Sequence, residues 1–151
     1  MLAPGDLAPD FEVPASDGRR LRLSAYRGAP VVLYFFPKAG TPGCTRESLG
    51  FADMFPMLAG KGISVIGVSV DDADRQRRFV EDCSLPFPLV ADLGKEIARK
   101  FGVLGMFGLA RRVTFVIDSD GRVAEIVDSL LPVAHLQRVR RRLLPGATAP
   151  S

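Results

Sequence analysis

Apolar residues run without interruption from Val31 to Phe36, and a second run, Ile63 to Ser69, is broken only by small residues. Runs of this length without alternation predict strands covered on both faces. Between them Leu49, Ala52, Phe55 and Leu58 recur at helical spacing, which predicts a helix from about Thr45 to Leu58, with Pro56 kinking it or opening its last turn. Asp71 and Asp72 offer a cap for a second helix reaching about Cys83, and Leu85-Pro86-Phe87-Pro88 blocks its continuation. A short strand follows at Leu89–Asp92, then a helix from Lys95 to Phe101 that Gly102 ends.

Two hairpins frame this centre. Phe11–Val13 and Arg20–Leu23 flank the turn-like Ser16-Asp17-Gly18, and Val113–Asp118 and Arg122–Val127 flank Ser119-Asp120-Gly121. Ser24–Gly28 reads as a short helical turn closed by glycine. A last helix spans Pro132 to Leu144, with Val133, Leu136, Val139 and Leu143 on one face. Strand–helix–strand–helix followed by a hairpin and a helix describes an α/β, thioredoxin-like sandwich. Its central sheet is mixed and flanked by helices, and it carries an N-terminal β-hairpin.

The 151 residues suit one domain, expected over residues 1–144, with residues 145–151 as a disordered tail. No run is long enough for a membrane span, and the N-terminus lacks the basic and apolar regions of a signal peptide, so a cytoplasmic protein is expected. The net charge of +3 is mild. Its densest basic cluster, Arg138, Arg140, Arg141 and Arg142, has no interleaved aromatics to stack bases. These cations are read as complements to a helix C-terminus, so neither nucleic acid nor membrane is an expected partner. Two cysteines are too few for a disulfide scaffold and read as free or catalytic thiols in a reducing compartment.

The chemistry concentrates where the first buried strand meets its helix, in Pro37-Lys38-Ala39-Gly40-Thr41-Pro42-Gly43-Cys44. Backbone N–H groups at a helix start are unpaired and the dipole is positive there, conditions that favour a reactive thiolate. The segment keeps the C-x-x-C spacing of thioredoxin-type proteins, but Thr41 replaces the first cysteine, which argues against a thiol-disulfide oxidoreductase.

The pattern Pro37…Thr41…Cys44…Glu47 resembles the peroxiredoxin active-site motif, P-x-x-x-T-x-x-C-x-x-E. With Tyr34-Phe35-Phe36-Pro37-Lys38, Gly67-Val68-Ser69-Val70-Asp71, Leu85-Pro86-Phe87-Pro88-Leu89 and Arg112-Val113-Thr114-Phe115-Val116-Ile117-Asp118, it resembles the peroxiredoxin Q or bacterioferritin comigratory protein subgroup from about Gly5 to Leu144. The resemblance implies a thiol peroxidase acting on hydrogen peroxide or organic hydroperoxides through a sulfenic acid at Cys44. Thr41 would hydrogen-bond the thiolate and the peroxide, the Gly43 and Cys44 N–H groups would donate, and Arg112 would hold both reactants. Glu47 would orient Arg112, and Pro37 would shield the thiolate. Arg111 beside Arg112 competes for that role, but Arg112 is preferred because it directly precedes the Val113-Thr114-Phe115 strand, and the alternative for Glu47 is a first-turn acid without a catalytic role. No cofactor or metal is implied. The expected reductant is thioredoxin, glutaredoxin or a small thiol, and the subgroup favours a monomer.

The resolving cysteine departs from the subgroup's placements. Five residues after Cys44 stands Leu49, and the residue after Phe79 is Val80; Cys83 lies three residues further on. Either Cys83 resolves Cys44 through an internal disulfide, or it packs as a small apolar side chain and an external thiol recycles Cys44. A non-catalytic redox sensor on the same fold is the alternative function. His135, remote in sequence from the motif, reads as structural or surface. The apolar Met106, Phe107 and Leu109 fit either an alkyl hydroperoxide or another subunit.

Overall fold

The computed structural model describes residues 2–146. Strands β1 (Glu12–Pro14) and β2 (Arg20–Arg22) form the N-terminal hairpin, and a 3-10 turn follows at Leu23–Tyr26. The main sheet holds β3 (Val31–Phe35), β4 (Ser64–Ser69), β5 (Leu89–Ala91), β6 (Val113–Ile117) and β7 (Val123–Asp128) in the order β5-β4-β3-β6-β7. β3, β4 and β5 run parallel, as crossover helices require, and β6 and β7 add an antiparallel hairpin. Helices α1 (Pro42–Gly60) and α2 (Ala73–Cys83) make the crossovers, α3 (Glu96–Lys100) follows β5, and α4 (Pro132–Leu143) closes the chain.

Every residue of β3 is buried because the strand lies at the centre of the sheet. Its side chains alternate between two cores. Val31, Leu33 and Phe35 join Phe101, Phe115 and the N-terminal hairpin on one face. Val32, Tyr34 and Phe36 join Phe51 and Met54 of α1, Phe79 of α2 and Val139 of α4 on the other. Cys44 belongs to this second core, so the reactive segment is built on the face of the sheet covered by α1, α2 and α4.

Several elements differ from the sequence reading in informative ways. α1 begins at Pro42 rather than Thr45, because proline at the first helical position forfeits an N–H that would be unpaired anyway. Cys44 is therefore inside the first turn. The helix continues through Pro56 to Gly60. Asp72 alone caps α2, accepting from the Arg75 N–H at 2.8 Å; Asp71 is turned elsewhere. On α4 the buried residues are His135 and Val139, while Leu136 and Leu143 pack partly and Val133 is half exposed. The expected face is thus rotated to put a histidine inward. Arg138 and Arg142 reach Glu125 of β7 at 2.7 and 3.5 Å, and Arg140, Arg141 and Arg142 occupy the last turn. Of the expected disordered tail, residues 147–151 lie outside the described residues.

Candidate active site

Thr41 is the N-cap residue of α1, in extended backbone, and its carbonyl accepts from the Thr45 N–H at 2.9 Å. Cys44 follows as the third helical residue. Its own N–H and that of Gly43 fall before the first intrahelical bond, so they are the free donors of the helix start. Cys44 itself is 1 % exposed. A thiol in this position has the positive helix end beneath it and an apolar core around it.

The cation that faces Cys44 comes from the strand paired beside β3. Arg112 immediately precedes β6, and only 8 % of it is exposed. Its Nη2 lies 3.5 Å from Cys44 Sγ, and its Nη1 donates to Glu47 Oε1 at 2.8 Å. Neighbouring residues of an extended chain point to opposite sides. Arg111 accordingly turns outward and pairs with Asp128 at the surface. Strand geometry is what separates the two arginines, with Arg112, the one preferred from the sequence, turned inward. Gly43 completes the arrangement: a Cβ there would lie 3.0 Å from Arg112 Nη2.

Glu47 sits one turn after Cys44 on the same helical face and is fully buried. It is therefore not a solvent-facing first-turn acid. Burial pushes its carboxyl up to about 7, against the opposing pull of Arg112. Only Oε1 is hydrogen-bonded; Oε2 has no hydrogen-bond partner. An acid so placed is held back from ionising because half of its charge would be unsolvated.

The Thr41 hydroxyl donates to the Lys38 carbonyl at 2.8 Å. Its proton is thus engaged by the loop, and its lone pairs are what remain for a ligand, in place of the two-way bonding to thiolate and peroxide that the sequence suggested. Pro37, half-buried, ends the apolar run directly after Phe36. Two open depressions flank the first turn of α1. One, of about 320 Å³, is lined by Lys38, Thr41, Arg78 and Phe79; the other, of about 540 Å³, is lined by Pro42, Thr45, Leu49 and Leu136. Met106 and Phe107 are almost fully exposed in a 3-10 turn, and Phe107 adopts the left-handed backbone region with φ 60°.

Cys83 is the last residue of α2 and is half-buried; both cysteines are free thiols. Burial and the neighbouring Asp82 push the Cys83 thiol up. Three further residues bear on the site that the sequence did not mark. Asp71 accepts from the Ala39 N–H at 2.8 Å and from the Ser69 hydroxyl at 2.7 Å, pinning the loop that carries Thr41. His135 is fully buried, with Nδ1 2.8 Å from Thr114 Oγ1 and 3.7 Å from Glu47 Oε2. A threonine within the apolar Val113–Ile117 run, two residues after Arg112 and so on its face of the strand, is the one sequence signal that pointed there.

The AhpC/TSA family model matches residues 4–126. Peroxiredoxin Bcp of Escherichia coli is 35% identical over 141 residues, covering 89% of this chain and 90% of its own. The crystal structure of peroxidoxin BcpB from Mycobacterium tuberculosis superposes with a TM-score of 0.88 at 36% identity, covering 98% of this chain and 100% of that one. A structure of the Xanthomonas campestris bacterioferritin comigratory protein, described for its alkyl peroxide reduction activity, superposes at 0.83 with 30% identity over 91% of this chain and 92% of that one. The mixed sheet, its flanking helices and the N-terminal hairpin are thus shared with solved peroxiredoxins, and the chain belongs to the AhpC/TSA family of peroxiredoxins.

Proposed function

We propose that the protein is a thiol peroxidase that reduces hydrogen peroxide or organic hydroperoxides at Cys44. One observation carries this reading: a buried guanidinium, backed by Glu47, stands 3.5 Å from the sulfur of a first-turn cysteine. The Cys44 thiolate attacks the terminal peroxide oxygen. An S–O bond forms as the O–O bond breaks, and the electron pair leaves with the distal oxygen, which takes a proton and departs as water or alcohol. Cys44 is left as a sulfenic acid. Negative charge moves along the S–O–O line during this step. Arg112 and the Gly43 and Cys44 N–H groups are preorganised donors for it. Thr41 lone pairs receive the hydroperoxide O–H, and Pro37 keeps water from the sulfur.

Recycling on this reading uses an external thiol: thioredoxin, glutaredoxin or a small thiol. The thiol attacks the sulfenic sulfur, water leaves, and a second thiol reduces the mixed disulfide. Cys83 is less suited to resolve Cys44, because it stands at the negative end of α2 beside Asp82, where a thiolate is disfavoured. Its two free thiols fit a reducing compartment, and the enzyme works there as a cytoplasmic monomer. No helix among the described residues is long and apolar enough to cross a membrane.

The test is peroxide consumption with excess thiol. Sustained turnover that disappears in Cys44→Ser is expected; a single stoichiometric oxidation would instead identify a redox sensor. Mass spectrometry under non-reducing conditions after one equivalent of peroxide separates the recycling routes. An oxidised Cys44 with Cys83 still alkylatable is expected, whereas an intramolecular Cys44–Cys83 disulfide would assign Cys83 the resolving role.

A further inference from the structure

On the Thr41 side of the site, Arg75, Arg78, Phe79 and Asp82 recur at helical spacing and so share one face of α2. That face and the loop Lys38–Thr41 are the two walls of the depression of about 320 Å³, with the buried Phe79 between them. The loop wall is fixed in place. The Thr41 hydroxyl donates to the Lys38 carbonyl, and the Ala39 N–H donates to Asp71. The volume suits a small molecule rather than a protein surface.

Lys38, Arg75 and Arg78 bring positive charge to this depression, and Asp82 is the acid that lines it with them. Among the described residues none of these three cations is in an ion pair. The other acids nearby are already engaged. Asp72 caps α2, Asp74 holds Arg77 at 3.2 Å, and Asp71 accepts from Ala39 and Ser69. The depression on the opposite side of the turn is of another character: Pro42, Leu49 and Leu136 line it beside Arg46 and Asp53. Two co-substrates meet Cys44 in turn. The hydroperoxide is neutral when it is attacked, whereas a thiol reacts as its thiolate. Cations left unpaired beside the site therefore favour the step in which the reductant arrives.

We propose that Lys38, Arg75 and Arg78 form a subsite for the carboxylate of a small thiol reductant, which brings its thiolate to the Cys44 sulfenic acid. The proposal rests on the peroxidase reading and names the class of thiol that recycles the enzyme. The thiolate forms an S–S bond with Cys44 Sγ as the S–O bond breaks, and the hydroxide takes a proton and leaves as water. A second thiolate attacks the reductant's sulfur in that mixed disulfide. The oxidised reductant departs as its own disulfide, and Cys44 leaves as the thiolate.

In the experiment Cys44 is oxidised with one equivalent of hydrogen peroxide, and its reduction is followed with mercaptopropionate, which carries a carboxylate, and with neutral mercaptoethanol. The readout is the ratio of the two rate constants, compared between proteins, so the intrinsic reactivity of each thiol cancels. In Arg75→Gln/Arg78→Gln this ratio should fall about tenfold, and in the wild type it should fall as salt rises. Arg77→Gln removes a cation of α2 that lies outside the depression and should keep the wild-type ratio. A ratio unmoved in the double variant, or lowered as far in Arg77→Gln, overturns the proposal. An oxidation arm compares tert-butyl hydroperoxide with a carboxylate-bearing tertiary hydroperoxide. If the double variant alters that preference and leaves the reduction ratio unmoved, the carboxylate belongs to the peroxide and the assignment to the reductant is overturned. NMR titration of the reduced wild type should shift the Lys38 and Thr41 amides with mercaptopropionate and not with mercaptoethanol; equal shifts overturn the subsite without reference to turnover. A protein that shows the charge-dependent ratio yet no sustained peroxide consumption overturns the peroxidase reading and leaves the subsite standing.

Discussion

The backbone N–H of Ala39 donates to Asp71 Oδ2 across 2.8 Å, tying the loop that presents Thr41 to the end of β4. The same carboxylate oxygen accepts from Ser69, and Ser69 in turn accepts from Gln76 of α2, which also donates to the Val90 carbonyl. The active-site loop, two strands and α2 are thereby linked through one buried chain of hydrogen bonds.

Asp71→Ala leaves the Ala39 N–H without its acceptor and removes the partner of the Ser69 hydroxyl. A buried donor without an acceptor costs about 1–3 kcal/mol. Urea denaturation should show a loss of that size, and the Cys44 oxidation rate should fall because the loop carrying Thr41 is released. An unaltered rate at an unaltered denaturation midpoint would count against the coupling.

Arg112→Lys retains a charge but loses the fork that reaches Cys44 and Glu47 at once. A preorganised donor removed from a reacting centre costs about 10²-fold in rate. Stopped-flow peroxide consumption should show a loss of that order. Arg111→Lys, altering only an exposed pair with Asp128, should leave the rate alone.

Two glycines separate site from scaffold. In Gly43→Ala the new Cβ meets the tip of a long side chain, Arg112 Nη2, at 3.0 Å. The guanidinium should give way, lowering the Cys44 rate with little change in Tm. In Gly67→Ala the Cβ meets Leu89 Cδ2 at 2.5 Å and the Tyr34 ring at 2.8 Å. That ring is confined against Phe51, centroids 4.7 Å apart, so overpacking should cost about 1–3 kcal/mol of stability.

The Glu47 carboxyl should make stability fall as pH rises from its ordinary value toward about 7. The Glu47 carboxyl is raised from 4.5 to about 7 in the folded protein. Folding therefore binds a proton between those values. The contribution is complete below the unfolded value and is lost as pH rises through about 7, with a full extent on the order of 3 kcal/mol. His135, lowered from 6.5, acts in the opposite sense: its neutral burial stabilises above its ordinary value and is lost as pH falls. Thermal melts across this range should show the Glu47 decline in the wild type and its absence in Glu47→Gln.

Strand and helix identities were legible because each element satisfies its own local rule. The Val31–Phe36 run is apolar on both faces, and the Asp120-Gly121 turn stands between two β-branched segments. Boundaries were less legible. Pro42 reads as a breaker when it is taken with the preceding turn, yet at the first helical position it costs nothing, so α1 starts three residues early. Likewise α4 looked like a leucine–valine stripe, because nothing local to His135 announces that Thr114 and Ser129 wait to satisfy both of its ring nitrogens.

The sequence by itself determined the order of elements, the family resemblance and the placement of Cys44 at a strand–helix junction. These follow from periodicity and short-range spacing. Only the tertiary structure decided that Arg112 rather than Arg111 turns inward and that Glu47 lies beside His135 across 88 positions of chain. Those relations depend on the β3–β6 pairing and on the rotation of α4 about its axis. Both are set by how two apolar faces pack together, and neither is encoded in any local stretch of residues.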